Sequence, residues 1–181
     1  MRGAVLGIVG LGKIGRAVAE RAKGFGLNMV YYKPRREPGI ESLIGIRYLP
    51  LDDLLRESDF VSLHCPLTPE TRGMINEGAL RKMKRTAILI NTSRGAVVVT
   101  DGLVRALQEG WIAGAGIDVV DPEPLPAGHR LYDLPNCLVV PHIGSATYGT
   151  RRRMAEMACE NLLAGLEGRT LPNCVNRDIY G

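Results

Sequence analysis

The sequence predicts a doubly wound α/β domain built on a parallel sheet, and three observations carry that expectation. Residues 5–9 are a short apolar run that leads into glycines at 10, 12 and 15 and then into an amphipathic stretch. Strand-patterned and helix-patterned segments alternate from there onward. The run Ala87-Ile88-Leu89-Ile90 is apolar throughout, as a strand buried on both faces requires.

Gly10, Gly12 and Gly15 have the spacing G-x-G-x-x-G, and each has a physical task. Gly10 permits a tight turn out of the strand, Gly12 lets backbone approach a pyrophosphate, and Gly15 lets the helix pack closely on the strand. The helix, expected over 14–25, aims free N–H groups and its positive dipole end at phosphates. The motif alone is a weak signal. The strand before it and the helix after it supply the context of a Rossmann-type dinucleotide site.

The remaining elements follow in order. Residues 28–32 read as the second strand, broken by Lys33-Pro34-Arg35-Arg36-Glu37-Pro38-Gly39. In such folds an acid about 20 residues after the glycines holds the adenosine ribose hydroxyls of NAD. Here that position is Lys33, and no acid occurs before Glu37. Lys33, Arg35 and Arg36 would attract a 2′-phosphate, which favours NADP(H), with NAD(H) possible and a plain charged surface turn as the alternative.

Residues 46–48 read as a short strand, 51–57 as a helix opened by Asp52 and Asp53, and 60–64 as a strand. Cys65-Pro66-Leu67-Thr68-Pro69-Glu70-Thr71 is a loop stiffened by two prolines at the edge where open α/β sheets bind ligands. A helix is expected over 76–85 and a strand over 87–90, followed by Asn91-Thr92-Ser93-Arg94-Gly95. Thr100 or Asp101 is expected to cap a helix that runs to Glu109 and stops at Gly110. Strands are expected over 112–118, with Asp118 at the exit, and over 137–140. A long helix over 150–166 carries Met154, Met157, Ala158, Leu162 and Leu166 at helical spacing, a stripe whose default reading is core packing. The expected division is a dinucleotide-binding domain over 1–149 and a C-terminal helix and tail over 150–181.

Composition narrows the function. Hydrophobic content is 45% and charged content 23%, ordinary for a soluble globular chain of 181 residues. Cys65, Cys137, Cys159 and Cys174 lie far apart with no C-x-x-C pair, which argues against a disulfide framework or a zinc site and for a reducing cytoplasm. The apolar run after Met1-Arg2-Gly3 is interrupted by glycines and ends at Lys13, so it is read neither as a signal peptide nor as a membrane span. The net charge of +4 comes with basic clusters at 33–36, 81–85 and 151–153. Aromatic residues make up only 5% and do not interleave with these clusters, which argues against nucleic acid as a partner. The second and third clusters read as solvated helix faces.

Arg94, Asp118, Glu123 and His142 each stand just beyond an expected strand, and a parallel sheet gathers such positions on one rim. Together they suit hydride transfer to a carbonyl. His142 can donate the proton that neutralises a developing alkoxide, and Glu123 can hold the imidazole and favour its charged form. Arg94 can grip a carboxylate with its fork and polarise the neighbouring carbonyl.

These residues lie in motifs that resemble the D-isomer-specific 2-hydroxyacid dehydrogenases. They are Gly-Leu-Gly-Lys-Ile-Gly at 10–15, His-Cys-Pro-Leu-Thr at 64–68, Asn-Thr-Ser-Arg-Gly at 91–95, Gly-Ile-Asp-Val at 116–119, Glu-Pro at 123–124, Pro-His-Ile-Gly-Ser-Ala-Thr at 141–147 and Leu-Pro-Asn-Cys-Val-Asn at 171–176. The resemblance implies Arg94, Glu123 and His142 as the catalytic trio and Asp118 near the nicotinamide carboxamide. It implies cofactor contacts at Gly10, Gly12, Lys13, Ile14 and Gly15, at Cys65, Pro66 and Thr71, at Thr92 and Ser93, and at Gly144 and Ser145. The basic residues at Lys33, Arg35 and Arg36 are similar to those of NADP-preferring glyoxylate/hydroxypyruvate reductases, with Arg35 at the position that would meet the 2′-phosphate. The implied substrate is a small 2-oxo or 2-hydroxy acid, with no metal, and the family assembles as homodimers.

One departure bears on activity. Members of this family build most of a substrate domain before entering the cofactor domain, whereas Met1 stands immediately before the first strand. The N-terminal part of the substrate domain, with its backbone donors for the substrate carboxylate, is expected to be missing. A cofactor-binding module without turnover is therefore the alternative to an active reductase.

Overall fold

The computed structural model describes residues 2–180 and divides into two compact units, the first ending at Pro141 and the second beginning at His142. The first unit contains a seven-stranded, all-parallel sheet in the order β3-β2-β1-β4-β5-β6-β7. Its strands are β1 (Val5–Val9), β2 (Asn28–Tyr32), β3 (Arg47–Tyr48), β4 (Phe60–Leu63), β5 (Ile88–Asn91), β6 (Gly114–Ile117) and β7 (Cys137–Val139). The crossover helices are α1 (Lys13–Ala22), α2 (Pro38–Ile44), α3 (Leu51–Glu57), α4 (Glu77–Leu80) and α5 (Thr100–Gln108). This is the expected Rossmann-type arrangement.

Apolar side chains alternate across the strands into two cores. Leu6 and Ile8 of β1 join Met29 and Tyr31 of β2 and Ala19 and Ala22 of α1 on one face. Val9, Val30, Val61, Leu63 and Leu89 pack on the other with Leu54 and Leu55 of α3 and Leu103 and Val104 of α5. A sheet covered on both faces needs apolar residues at every strand position, and that is why the period-2 signal is absent from 87–90.

The register has one consequence for the site. Val9 pairs with Tyr32 and Leu63, Leu63 with Asn91, Asn91 with Ile117, and Ile117 with Val139. One row thus crosses the sheet at its C-terminal edge. The next residue of each strand in that row (Gly10, Lys33, His64, Thr92, Asp118 and Val140) leaves from the same rim.

Several elements differ from expectation. α2 was not foreseen, because Pro38-Gly39 reads as a break; Pro38 instead occupies the first turn, where its missing N–H costs nothing. The helix expected over 76–85 stops at Leu80, with Asn76 Oδ1 accepting the Ala79 N–H at 3.1 Å. Beyond it the chain tightens into turns, Lys82 N–H to Ala79 O and Met83 N–H to Leu80 O, which bury Met83 and let Lys84 reach Asp59. The basic run there is consequently engaged rather than simply solvated: Arg81 lies over the Trp111 ring at 3.4 Å and Lys82 binds Asp52 at 2.7 Å. Neither Thr100 nor Asp101 caps α5. Val99 is its N-cap, and the Thr100 hydroxyl turns to Asp121 O at 3.1 Å.

In the second unit α6 (Tyr148–Leu166) is capped by Thr147, whose Oγ1 accepts the Thr150 N–H at 3.2 Å. Asn161 clamps the tail by exchanging hydrogen bonds with the Asn173 backbone. The Met154, Leu162 and Leu166 positions of the expected core stripe are exposed, and Ala164 is the buried residue of this helix.

Asp59 ties three elements together, accepting the Val5 N–H at 2.8 Å and the Lys84 ammonium at 2.8 Å. The lysine, and then the N–H, hold its carboxyl below the usual range. A lowered folded-state pKa stabilises the fold above the unfolded value and loses that contribution as pH falls. Asp59→Asn is expected to cost about 1 kcal/mol near neutrality, solvent screening included. Thermal melts of the two proteins should converge as the pH is taken well below about 3.9.

Candidate functional site

Two adjoining cavities lie along the rim of the first unit. One, of about 580 Å³, is lined by residues that include Gly10, Gly12, Tyr32, Lys33, Pro34, His64, Cys65, Pro66, Thr71 and Met74. The other, of about 490 Å³, is lined by Gly12, Lys13, Ile14, His64, Cys65, Pro66, Leu67, Thr92, Ser93 and Arg94. Gly12, His64, Cys65 and Pro66 belong to both, so they form the waist of one elongated cleft.

The glycine turn shapes that waist. Gly10 has φ +97°, and a Cβ on it would lie 2.6 Å from Cys65 N and 2.7 Å from His64 C, so turn and strand exit touch backbone to backbone. A Cβ on Gly15 would lie 2.2 Å from Gly10 O. Nothing lies within 4 Å of the corresponding point on Gly12, which is the N-cap of α1 and faces open space. No acid occupies the first turn of α1, whose leading N–H groups lack intrahelical partners. An open glycine at a helix N-terminus, beside a cavity of dinucleotide dimensions, fits a pyrophosphate.

The loops that wall the cleft are pinned locally. Thr71 Oγ1 accepts the Thr68 N–H at 2.8 Å and donates to Pro66 O at 2.6 Å, closing the proline loop. Buried Asn91 braces the next one: its Oδ1 accepts the Ser93 N–H and hydroxyl, and its Nδ2 donates to Arg94 O. Arg94 Nη1 donates to Ser93 O at 2.6 Å. A Cβ on Gly95 would lie 1.9 Å from Val120 O, so the Arg94 loop lies against the backbone that leads to Glu123.

Asp118 is buried, and its N–H bonds Asn91 O at 2.9 Å; it lines neither cavity. Exposed Glu123 is carried on a loop anchored by buried Leu125. His142, Gly144 and Ser145 belong to the second unit. His142 has φ 53°, a conformation no other non-glycine residue adopts among those described.

Sequence reasoning did not single out His64 or Asn91. His64 Nε2 lies 2.8 Å from the Ser62 hydroxyl, and burial pushes its pKa down, so a neutral imidazole stands at the waist. Cys65 beside it is buried, with its thiol pushed up by desolvation. Their place at the end of a strand, on the rim where the other motifs gather, was the available signal. Arg35 and Arg36 line neither cavity, whereas Lys33 does. Among the described residues no group of three or more His, Cys, Asp or Glu is placed to hold a metal ion. No helix among them is long and apolar enough to cross a membrane.

Sheet order, glycine turn and two-part cleft define a dinucleotide-binding α/β domain. The model of the D-isomer specific 2-hydroxyacid dehydrogenase NAD binding domain matches residues 1–144, and the chain belongs to that family of nicotinamide-dependent oxidoreductases. A glyoxylate reductase of Korarchaeum cryptofilum is 56% identical over 177 residues, which are 98% of this chain and 53% of that protein. A crystal structure of a protein from Thermus thermophilus superposes with a TM-score of 0.90 at 56% identity, covering 96% of this chain and 54% of that one. The NAD-complexed D-isomer specific 2-hydroxyacid dehydrogenase of Lactobacillus delbrueckii ssp. bulgaricus gives 0.84 at 34% identity, covering 95% and 56%. The chain therefore spans about half the length of the relatives it matches.

The glycines separate binding from stability. Gly12→Ala is expected to cost no more than about 1 kcal/mol while weakening dinucleotide binding at least about tenfold, because the new methyl occupies the open approach. Gly15→Ala is expected to cost about 2–3 kcal/mol through the clash with Gly10 O. Calorimetric melts and nucleotide titrations of both variants check this.

Proposed function

We propose that this chain supplies the cofactor half of an NAD(P)-dependent 2-oxo acid reductase of the glyoxylate or hydroxypyruvate type. The observation that carries the reading is the 490 Å³ cavity, whose lining includes both the open Gly12 turn and Arg94. A phosphate cradle and a carboxylate-gripping cation on one rim are what a reductase of short oxo acids needs.

When bound, a nicotinamide dinucleotide supplies the hydride. Gly12, Lys13 and Ile14 hold its pyrophosphate through backbone N–H groups, and the loop closed by Thr71 walls the adenosine side. Arg94, its loop braced by Asn91, binds the substrate carboxylate and polarises the keto group. His142 gives the proton to the carbonyl oxygen, and Glu123 orients the imidazole; the left-handed backbone of His142 is the kind of local strain found at functional positions. Asp118 would hold the carboxamide of a bound nicotinamide, and Gly144 and Ser145 would complete the cofactor contacts. Residues 150–181 belong with the substrate domain, homodimer assembly is a property of the full-length family rather than one assigned to this chain alone, and the free cysteines suit a reducing cytoplasm. The basic residues after β2 favour NADP(H) over NAD(H).

A second reading has its own support. The chain spans about half of its relatives, so it binds cofactor without turnover if the remaining half supplies the facing wall of the cleft. Steady-state reduction of glyoxylate with NADPH separates the two. Turnover supports the reductase, and retained NADPH binding without turnover supports the module. In a protein of the relatives' full length, His142→Gln is expected to lower kcat by about 10²–10⁴-fold. Unchanged turnover there removes His142 as proton donor.

A further inference from the structure

The basic cluster after β2 is largely spent on carboxylates. Lys33, which lines the 580 Å³ cavity, bonds Glu37 Oε1, and Arg16 Nη2 takes Glu37 Oε2 at 2.5 Å. Arg16 also donates from Nε to Leu11 O at 3.2 Å, which places it over the glycine turn. The Glu37 N–H donates to the hydroxyl of buried Tyr31 at 2.9 Å, and that hydroxyl donates to Glu41 Oε1 at 2.9 Å. Both Glu41 oxygens accept from Arg36 at 2.7 Å. Arg35 is exposed and in no ion pair among the described residues. The hydrogen bond from Lys33 holds the Glu37 carboxyl below its usual range, so Glu37 is charged near neutrality.

We propose that Glu37 is a specificity-determining residue that limits the preference of this cleft for NADP(H), by occupying Lys33 and Arg16 and by adding a carboxylate beside the place a 2′-phosphate must enter. The proposal rests on the dinucleotide reading above. A phosphomonoester carries about −1.5 to −2 charge at pH 7, so to engage Lys33 or Arg16 it must displace Glu37 and lie near that like charge. The neutral ribose hydroxyl of NAD(H) meets neither obstacle. Glu37 thus acts on one cofactor and not on the other, and Arg35 is the cation left uncommitted.

Titration calorimetry of the 181-residue chain and of Glu37→Gln with NADPH, NADH, adenosine 2′,5′-bisphosphate and 5′-AMP tests this. The glutamine is expected to tighten NADPH and the bisphosphate about tenfold. NADH and 5′-AMP should stay within about twofold. The gain should vanish in Glu37→Gln/Lys33→Met and shrink with added salt. Lys33→Met alone should weaken NADPH less than about threefold, because Glu37 already engages the ammonium. Equal tightening of all four ligands, no tightening, or a loss of the phosphorylated ones in a variant that melts like the wild type overturns the proposal. So does a loss of about tenfold or more in Lys33→Met. Equal wild-type affinities for NADPH and NADH remove the proposed cofactor preference but leave Glu37 to be judged by the shift in the variant. A wild type that binds neither nucleotide removes both.

Discussion

No side chain can stand between the turn after β1 and the backbone leaving β4. A Cβ on Gly10 would come within 2.8 Å of three backbone atoms of His64 and Cys65, and one on Gly15 would meet Gly10 O. This double close approach seats α1 on its strand and brings its N-terminus to the waist of the cleft. Gly12 differs from its two neighbours: its missing side chain is not filled by protein, so space is left for a ligand. A single motif therefore contains two kinds of glycine, two whose missing side chains protein backbone fills and one that faces open space.

Around that waist the walls are built by short polar braces rather than by long-range contacts. Thr71 closes the proline loop, and Asn91 closes the turn that carries Arg94. Each brace satisfies backbone groups at a strand exit, where sheet hydrogen bonding ends and loop backbone would otherwise go unpaired. The braces fix loop shape without filling the cleft. In the same way the ion pairs of Glu37 and Glu41 settle the charged loop after β2 before any ligand arrives.

The charge pattern illustrates how a linear reading misleads. Lysines and arginines at 81–85 look like a solvated face, yet Arg81 stacks on Trp111 and Lys84 reaches Asp59, partners distant in sequence. Arg152 and Arg153 pair instead with Glu156 and Glu160 one or two turns along α6, as helical spacing leads one to expect. Local pairing is legible from spacing; pairing across the sheet is not.

The sequence by itself determined the architecture and the position of the glycine turn that opens α1. Apolar runs such as 29–32 and 87–90, the glycines at 10, 12 and 15, and polar motifs directly after strands follow from short-range rules of burial and turn geometry, which act over a few residues. Tertiary structure decided the rest. Only the register shows that Val9, Tyr32, Leu63, Asn91, Ile117 and Val139 form one row. Only folding brings Glu37 onto Arg16, ends α4 at Leu80 so that Met83 can be buried, and makes His64 a wall of both cavities. Those outcomes depend on contacts between residues far apart in the chain, whose energies no local pattern of side chains encodes.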